Sequence, residues 1–288
     1  MKTINHIVKR IFQIAVVATV VSPISAQTVK INVDDALFTQ PLIEKLVEEY
    51  QKVEPAFKAQ IVNGDVVSDA SISISNDAKN VIARYFILPV ANSEAQILSE
   101  KKVQKGINQK VAKELFVERT VDEQLDNPDK KQLPGTVYTL SGKHSELTNL
   151  LAESLDVLVK DIRGKKVLGR EENLISVIKK RPDAISVDVA SLVYDHKTRK
   201  PIEGIAVLPV DLDGNNKVSD EERDALGDLD LLTTFLDTSS NALPTGNVGI
   251  NSDNASVKRF VSWASTYGQK YLASFGYLKT FNDYTAQK

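Results

Sequence analysis

The chain contains no cysteine. That absence excludes a disulfide framework, a thiolate metal site, a cysteine nucleophile and a lipid-anchoring cysteine at any cleavage point. Histidine is nearly as scarce: there are three in 288 residues, and beyond residue 26 only His144 and His196 remain. There is no His-Glu-x-x-His zinc motif, no Gly-x-Ser-x-Gly elbow and no P-loop. Ser141 and His144 are close in sequence, but at a helix start they suit capping better than the roles of nucleophile and base. Carboxylates are plentiful, so a glycosidase pair is not excluded by counting. The motifs taken together predict a protein that is not an enzyme. An excess of charge is also missing, the net being −2, which argues against nucleic acid or an anionic membrane surface as partner. The locally basic KKVLGREENLISVIKKR is interrupted by glutamates and carries an apolar period, so it reads as a solvated helix face.

Long apolar runs are absent too. A membrane helix takes about 20 apolar residues, and IFQIAVVATVV is roughly half that. It follows Lys2, Lys9 and Arg10 and precedes the small residues of SPISAQ, the pattern of a secretory signal peptide cut after Ala26. The expected product is periplasmic or secreted, with no membrane insertion after cleavage. About 260 residues of the 288 would remain, enough for two domains that each bury a core.

What is present alternates between strand and helix. TVKINV (28–33) reads as a strand, and QPLIEKLVEEYQKV as an amphipathic helix closed by Pro55, with Leu42, Ile43, Leu46, Val47 and Tyr50 on one face. KAQIV follows as a strand, completing a βαβ unit and implying a parallel sheet. Further strands are expected at SISIS (71–75), ARYFILPV (83–90), GTVYTLS (135–141) and AISVDVASLVY (184–194). Helices are expected over about 95–121, over Leu147 to Val159, and over ENLISVIKKR before Pro182. The last helix places Trp263, Tyr267, Tyr271 and Phe275 at spacings of four, a packing stripe rather than a sugar platform. No repeat of fixed period and no low-complexity segment occurs. One echo does: FILPV (86–90) and AVLPV (206–210) are both apolar strands interrupted by proline, which cannot donate to a sheet ladder. Each proline is expected where a strand leaves its sheet. Either the echo is a coincidence of valine-rich strands, or the chain crosses there between two lobes, 27–90 plus 205–288 and 91–204, with Pro89 beside Pro209.

DLDGNNKVSDEE (211–222) has the oxygen pattern of a calcium loop. Asp211, Asp213 and Asn215 would offer side-chain oxygens, Lys217 its carbonyl, Ser219 a hydroxyl or a water, and Glu222 a bidentate carboxylate. Glycine is usual at the sharp turn, and Asn216 stands there instead, the next most tolerant residue of positive φ. A Ca2+ ion here would be structural, because the full oxygen set leaves no open position. The alternative is an acidic turn in which Ser219 caps the following helix.

FVSWASTYGQKYLASFGYL (260–278), RKPIEGIAVLPVDLDGNNKVSDEE and VLGREENLISVIKKRPDAISV, with YQKVEPAFKAQIV near the beginning, resemble the periplasmic phosphate-binding proteins of ABC importers. That resemblance implies an α/β, two-lobed type II periplasmic binding protein fold with two crossing strands. It implies a monomer with a hinged cleft, an oxyanion such as phosphate as ligand, and an ABC permease as partner. Helices that begin at strand ends aim free N–H groups and a positive dipole end into such a cleft. Thr39 at the first helix start and Ser141, Gly142 and Lys143 at the second are the corresponding positions here; simple N-capping by Ser141 or Ser145 is the alternative. Departures are evident. Asp34 and Asp35 stand where the family has a glycine-rich turn, NGDVVSDA shortens the loop after the second strand, Lys143 replaces a threonine, and Ser186 a glycine. Carboxylates at the mouth repel a dianion, so a noncatalytic envelope binding or scaffold module that kept the fold and lost the phosphate site is the second reading.

Overall fold

The computed structural model describes residues 28–126, 128, 132–142, 144–238 and 243–280. The expected signal peptide and Lys143 lie outside the described residues. In chain order the first elements are β1 (Val29–Asn32), α1 (Gln40–Val53), β2 (Ala59–Val62), β3 (Ala70–Ile74) and β4 (Val81–Asn92). Next come α2 (Lys101–Gln104), α3 (Gln109–Phe116), α4 (Val121–Asp126), β5 (Thr136–Ser141), α5 (Glu146–Ser154), β6 (Lys165–Leu168) and α6 (Glu171–Lys180). The chain ends with β7 (Ala184–Val189), α7 (Ala190–Val193), β8 (Ile205–Val207), α8 (Asp220–Leu226), α9 (Leu229–Thr238), β9 (Thr245–Asn251) and α10 (Ala255–Ala264).

The strands form two half-sheets joined through β4. The first has the order β2-β1-β3-β9-β4, and the second β6-β5-β7-β4-β8. In the first, β1 is parallel to β2 and β3, and β9 is antiparallel to β3 and β4. In the second, β5 is parallel to β6 and β7, and β4 is antiparallel to β7 and β8. The two half-sheets therefore share one topology. β4 serves both because of its length: Val81 to Phe86 pair with β9, and Ile87 to Ala91 with β7. Lying in the middle of the joined sheet, it is buried along almost its whole length, which explains its apolar run from Tyr85 to Ala91.

Pro89 departs from expectation. It lies inside β4 opposite Val187 rather than at a strand exit. Proline lacks only the donor, and its carbonyl is used: Leu208 N–H donates to Pro89 O at 2.9 Å. Pro209 falls just past β8, and the two Leu-Pro-Val segments run side by side.

Amphipathic α1 forms as its spacing requires, burying Leu42, Ile43, Leu46, Val47 and Tyr50. Tyr50 meets Phe57, Phe260 and Trp263 with ring centroids 5.0, 5.4 and 5.4 Å away, clamping α1 to α10. Each such ring contributes about 1.5–3 kcal/mol by leaving water. Other expectations are corrected. The stretch 95–121 is not one helix, because Gly106 adopts φ +119° and lies against Val218, where a Cβ would come within 2.2 Å of that side chain. The helix expected to reach Val159 ends at Ser154, followed by Asp156 at φ 53°. The strand expected over 184–194 ends at Val189 and turns into α7. The aromatic stripe is broken where α10 stops at Ala264, leaving Tyr267 74% exposed while Trp263, Tyr271 and Phe275 pack on the core. No helix among the described residues is long and apolar enough to cross a membrane.

Candidate functional site

β1 runs in the direction of β4 and β5 and β6 run against it, so the carboxyl ends of these strands, with their connections to α1, α5 and α6, point toward one another from the two half-sheets. At the end of β1, Asp34 accepts from Gly64 N–H at 3.0 Å and from the guanidinium of Arg170, the residue before α6. This ion pair ties the first half-sheet's loops to the second half-sheet's. Thr39 is fully buried, and its hydroxyl donates to Ala36 O at 2.7 Å, so that proton is already committed. Ser141 ends β5, and Gly142 follows with φ +92°. Ser145 precedes α5 but makes no side-chain capping bond. The helix start falls later than expected, at Glu146: Ser141 still belongs to β5, Gly142 lies in the connection, and Thr39's donor turns inward.

Residues that the sequence reading did not single out dominate this region. Glu146 opens α5 and Glu171 opens α6, while Asp188 lies near the end of β7. Glu171 and Asp188 are 1% and 0% exposed. Among the described residues, Glu146 Oε2, Glu171 Oε1 and Asp188 Oδ2 are buried without a hydrogen-bond partner. Burial pushes the Glu171 carboxyl up to about 7, with Glu172 and Glu146 adding like-charge repulsion. The same desolvation raises Asp188 well above the usual range, although Val189 N–H donates to its Oδ1 at 2.8 Å. Two signals could have found them. Glutamate in the first helical turn complements the dipole, and a lone carboxylate in the apolar strand AISVDVA is a buried charge by position. His196 is structural: its Nε2 lies 3.0 Å from Ser191 O, and its ring meets Phe275.

The acidic loop lies on a different part of the second half-sheet. Asp211, Asp213 and Glu222 each bring a carboxylate oxygen within 4.8 Å of the others. Asp211 collects the N–H groups of Gly214, Asn215 and Asn216. Glu222 collects those of Leu212 and Ser219, and Ser219 Oγ caps α8 by accepting from Glu222 N–H at 3.2 Å. Asn216 takes φ 68°, the left-handed turn its position called for. Asn215 Oδ1 accepts from Lys217 N–H at 2.9 Å. Main-chain bonds between Ile107 and both Pro209 and Asp211 fasten the loop to the start of α3. Beside it lies a cavity of about 430 Å³ lined by Ile87, Pro89, Phe116, Leu151, Val187 and Pro244, with Asp211 and Asn216 in its polar lining.

This architecture is that of the two-lobed type II periplasmic binding proteins. Two solved structures share it across their whole length. One is described as a phosphate ABC transporter substrate-binding protein from Clostridium perfringens with bound phosphate; its TM-score is 0.56 at 13% identity, covering 88% of this chain and 100% of that one. The other is an ABC-type phosphate transport receptor from Vibrio cholerae, with TM-score 0.52, 9% identity and the same coverage. No protein-family model and no curated protein matches the sequence. At these identities the likeness establishes the fold and leaves the ligand to the site itself.

Proposed function

We propose that this chain is an exported binding protein that works by ligand capture between two lobes, without catalysis. We take the lobes as 27–90 plus 205–288 and 91–204, with the crossings at the two Leu-Pro-Val segments; β8 and the acidic loop, although in the first range, attach to the second half-sheet. The fold shared with solute-binding proteins supports this reading. An oxyanion such as phosphate, passed to an ABC permease, is the ligand reading that the neighbours' descriptions support. The site favours the other reading, a noncatalytic envelope module that kept the fold and lost the phosphate site. One observation carries it: at the start of α6 and near the end of β7 the chain buries its own carboxylates, Glu171 and Asp188, with unpartnered oxygens. A dianion placed there would face the ionised fraction of Glu171 in a poorly screened site, where repulsion costs far more than the same contact in water. Calorimetry with inorganic phosphate tests it: silence at millimolar phosphate supports the lost site, and micromolar binding restores the oxyanion reading.

The acidic loop carries a separate proposal, a structural Ca2+ held by Asp211, Asp213, Asn215, Lys217 O, Ser219 and Glu222. The converging carboxylates and the positive φ of Asn216 support it. The ion would fix the chain as it leaves β8 toward α8. Equal melting curves with calcium and with chelator would retire it.

A further inference from the structure

We propose that the carboxylate cluster of the second lobe is a recognition site for a cationic small molecule, one carrying ammonium groups, between the two lobes. This rests on the reading of the chain as a cleft-binding protein that has given up phosphate. Three observations converge on it.

The first is the set of unpartnered atoms. Asp188 Oδ2, Glu171 Oε1 and Glu146 Oε2 are acceptors withdrawn from water with nothing described to accept from. A buried acceptor left unmatched is costly, and such atoms mark places completed by something else.

The second is the sign of the surroundings. The charges felt at Asp188 are those of Glu171 and Glu172, both negative. Those felt at Glu171 are Glu172, Glu146 and the cation Arg170, whose guanidinium is already bound to Asp34. Glu171 also takes its own backbone N–H, so the start of α6 is occupied by a carboxylate and not open to a ligand anion. Tyr85 and Tyr277 are within electrostatic reach of Glu171, and burial beside these carboxylates raises both phenols. Phe38 joins them, its ring centroid 5.6 Å from that of Tyr85 and its carbonyl accepting from the Tyr277 hydroxyl at 3.1 Å. Aromatic rings beside carboxylates suit an ammonium group, through ring faces and charge-assisted hydrogen bonds together.

The third is spacing. Among the described residues, the trio tight enough to share one metal ion is Asp211, Asp213 and Glu222 in the acidic loop, and the cleft carboxylates form no such group. Acceptors that are near one another but not gathered on a point fit a ligand with several N–H donors better than a bare divalent ion. Entry requires the lobes to part, and the Asp34–Arg170 pair and the Asn76–Glu153 hydrogen bond are among the contacts that must open and reform.

The test is calorimetry of the wild-type chain with spermidine as the amine probe and, separately, with inorganic phosphate, at pH 8 and pH 5.5. The expected result is micromolar spermidine binding at pH 8 that weakens about tenfold or more at pH 5.5, as the carboxylates take up protons, with no heat from phosphate. Glu171→Gln should weaken spermidine by a similar factor while keeping the wild-type circular dichroism spectrum. If that variant does not fold, the wild-type pH dependence decides alone. Silence from both probes overturns the cation site and leaves the lost-phosphate reading standing. Heat from phosphate overturns that reading as well. Spermidine binding that ignores both pH and Glu171 lies elsewhere on the surface and overturns the site.

Discussion

The two half-sheets have the same strand order and the same sequence of parallel and antiparallel pairings, yet they are furnished differently where their parallel strands end. In the first, β2 passes to β3 through a short loop with no helix; this is possible because β3 joins β1 only at Ile31 and Asn32, so the chain has little distance to recover. In the second, β6 passes to β7 through the whole of α6. The first half-sheet's helix begins with uncharged Gln40 and Pro41, whereas both helix starts of the second carry glutamates. A shared framework thus carries unlike loops, and ligand choice resides in the loops.

Four measurements probe how the two half-sheets differ. The largest effect is expected in the first half-sheet's core: Phe260→Ala removes a fully buried ring packed on Tyr50 and Phe57 and should cost about 3–5 kcal/mol in urea melts. A loss under about 1 kcal/mol would mean that α1 and α10 are not clamped as described.

Next is the pH dependence of the second. Glu171 has a folded pKa of about 7 against 4.5 for the free side chain. The folded state therefore holds the proton more tightly, and stability is lost as pH rises through that window, by about 3 kcal/mol once pH is well above 7. Glu171→Gln should recover about that amount at pH 8.5 and change little below pH 4.5; equal gains at both would show that the carboxyl is not desolvated.

Calcium comes third. At a hundredfold excess over its dissociation constant it should add about 2.7 kcal/mol to stability. Asp211→Ala with Glu222→Ala should abolish that gain, as read by melting temperature with calcium and with chelator. The smallest effect is at Asp34. Its pair with Arg170 is partly exposed, so Asp34→Asn should change stability by no more than about 1 kcal/mol. Its signature is elsewhere: small-angle scattering should show a larger radius of gyration as the lobes part, and an unchanged radius would remove the pair's bridging role.

Much of the framework was legible because period and burial coincide in it. The 3.6-residue spacing of α1 and the alternation of β1 and β3 reflect elements buried on one face. The duplicated topology was not legible, since it is a repeat of strand order with no repeat of sequence. Breaks inside apparent helices escaped notice where one glycine decides them: Gly106 is needed for its positive φ and for its close approach to Val218, and neither shows in local pattern. The acidic loop was readable because its ligands are contiguous. The buried carboxylates were not, because Glu146, Glu171 and Asp188 come from three separate elements and come within electrostatic reach only in the folded chain.

The second half-sheet places desolvated carboxylates of its own, Glu171 and Asp188, at the start of α6 and near the end of β7. Carbon-13 NMR of the carboxyl groups, with Glu171→Gln and Asp188→Asn used for assignment, tests it most directly. The account predicts that Glu171 titrates near pH 7 and that Asp188 stays protonated well above the usual aspartate range; midpoints near 4.5 for Glu171 and 3.8 for Asp188 would contradict it.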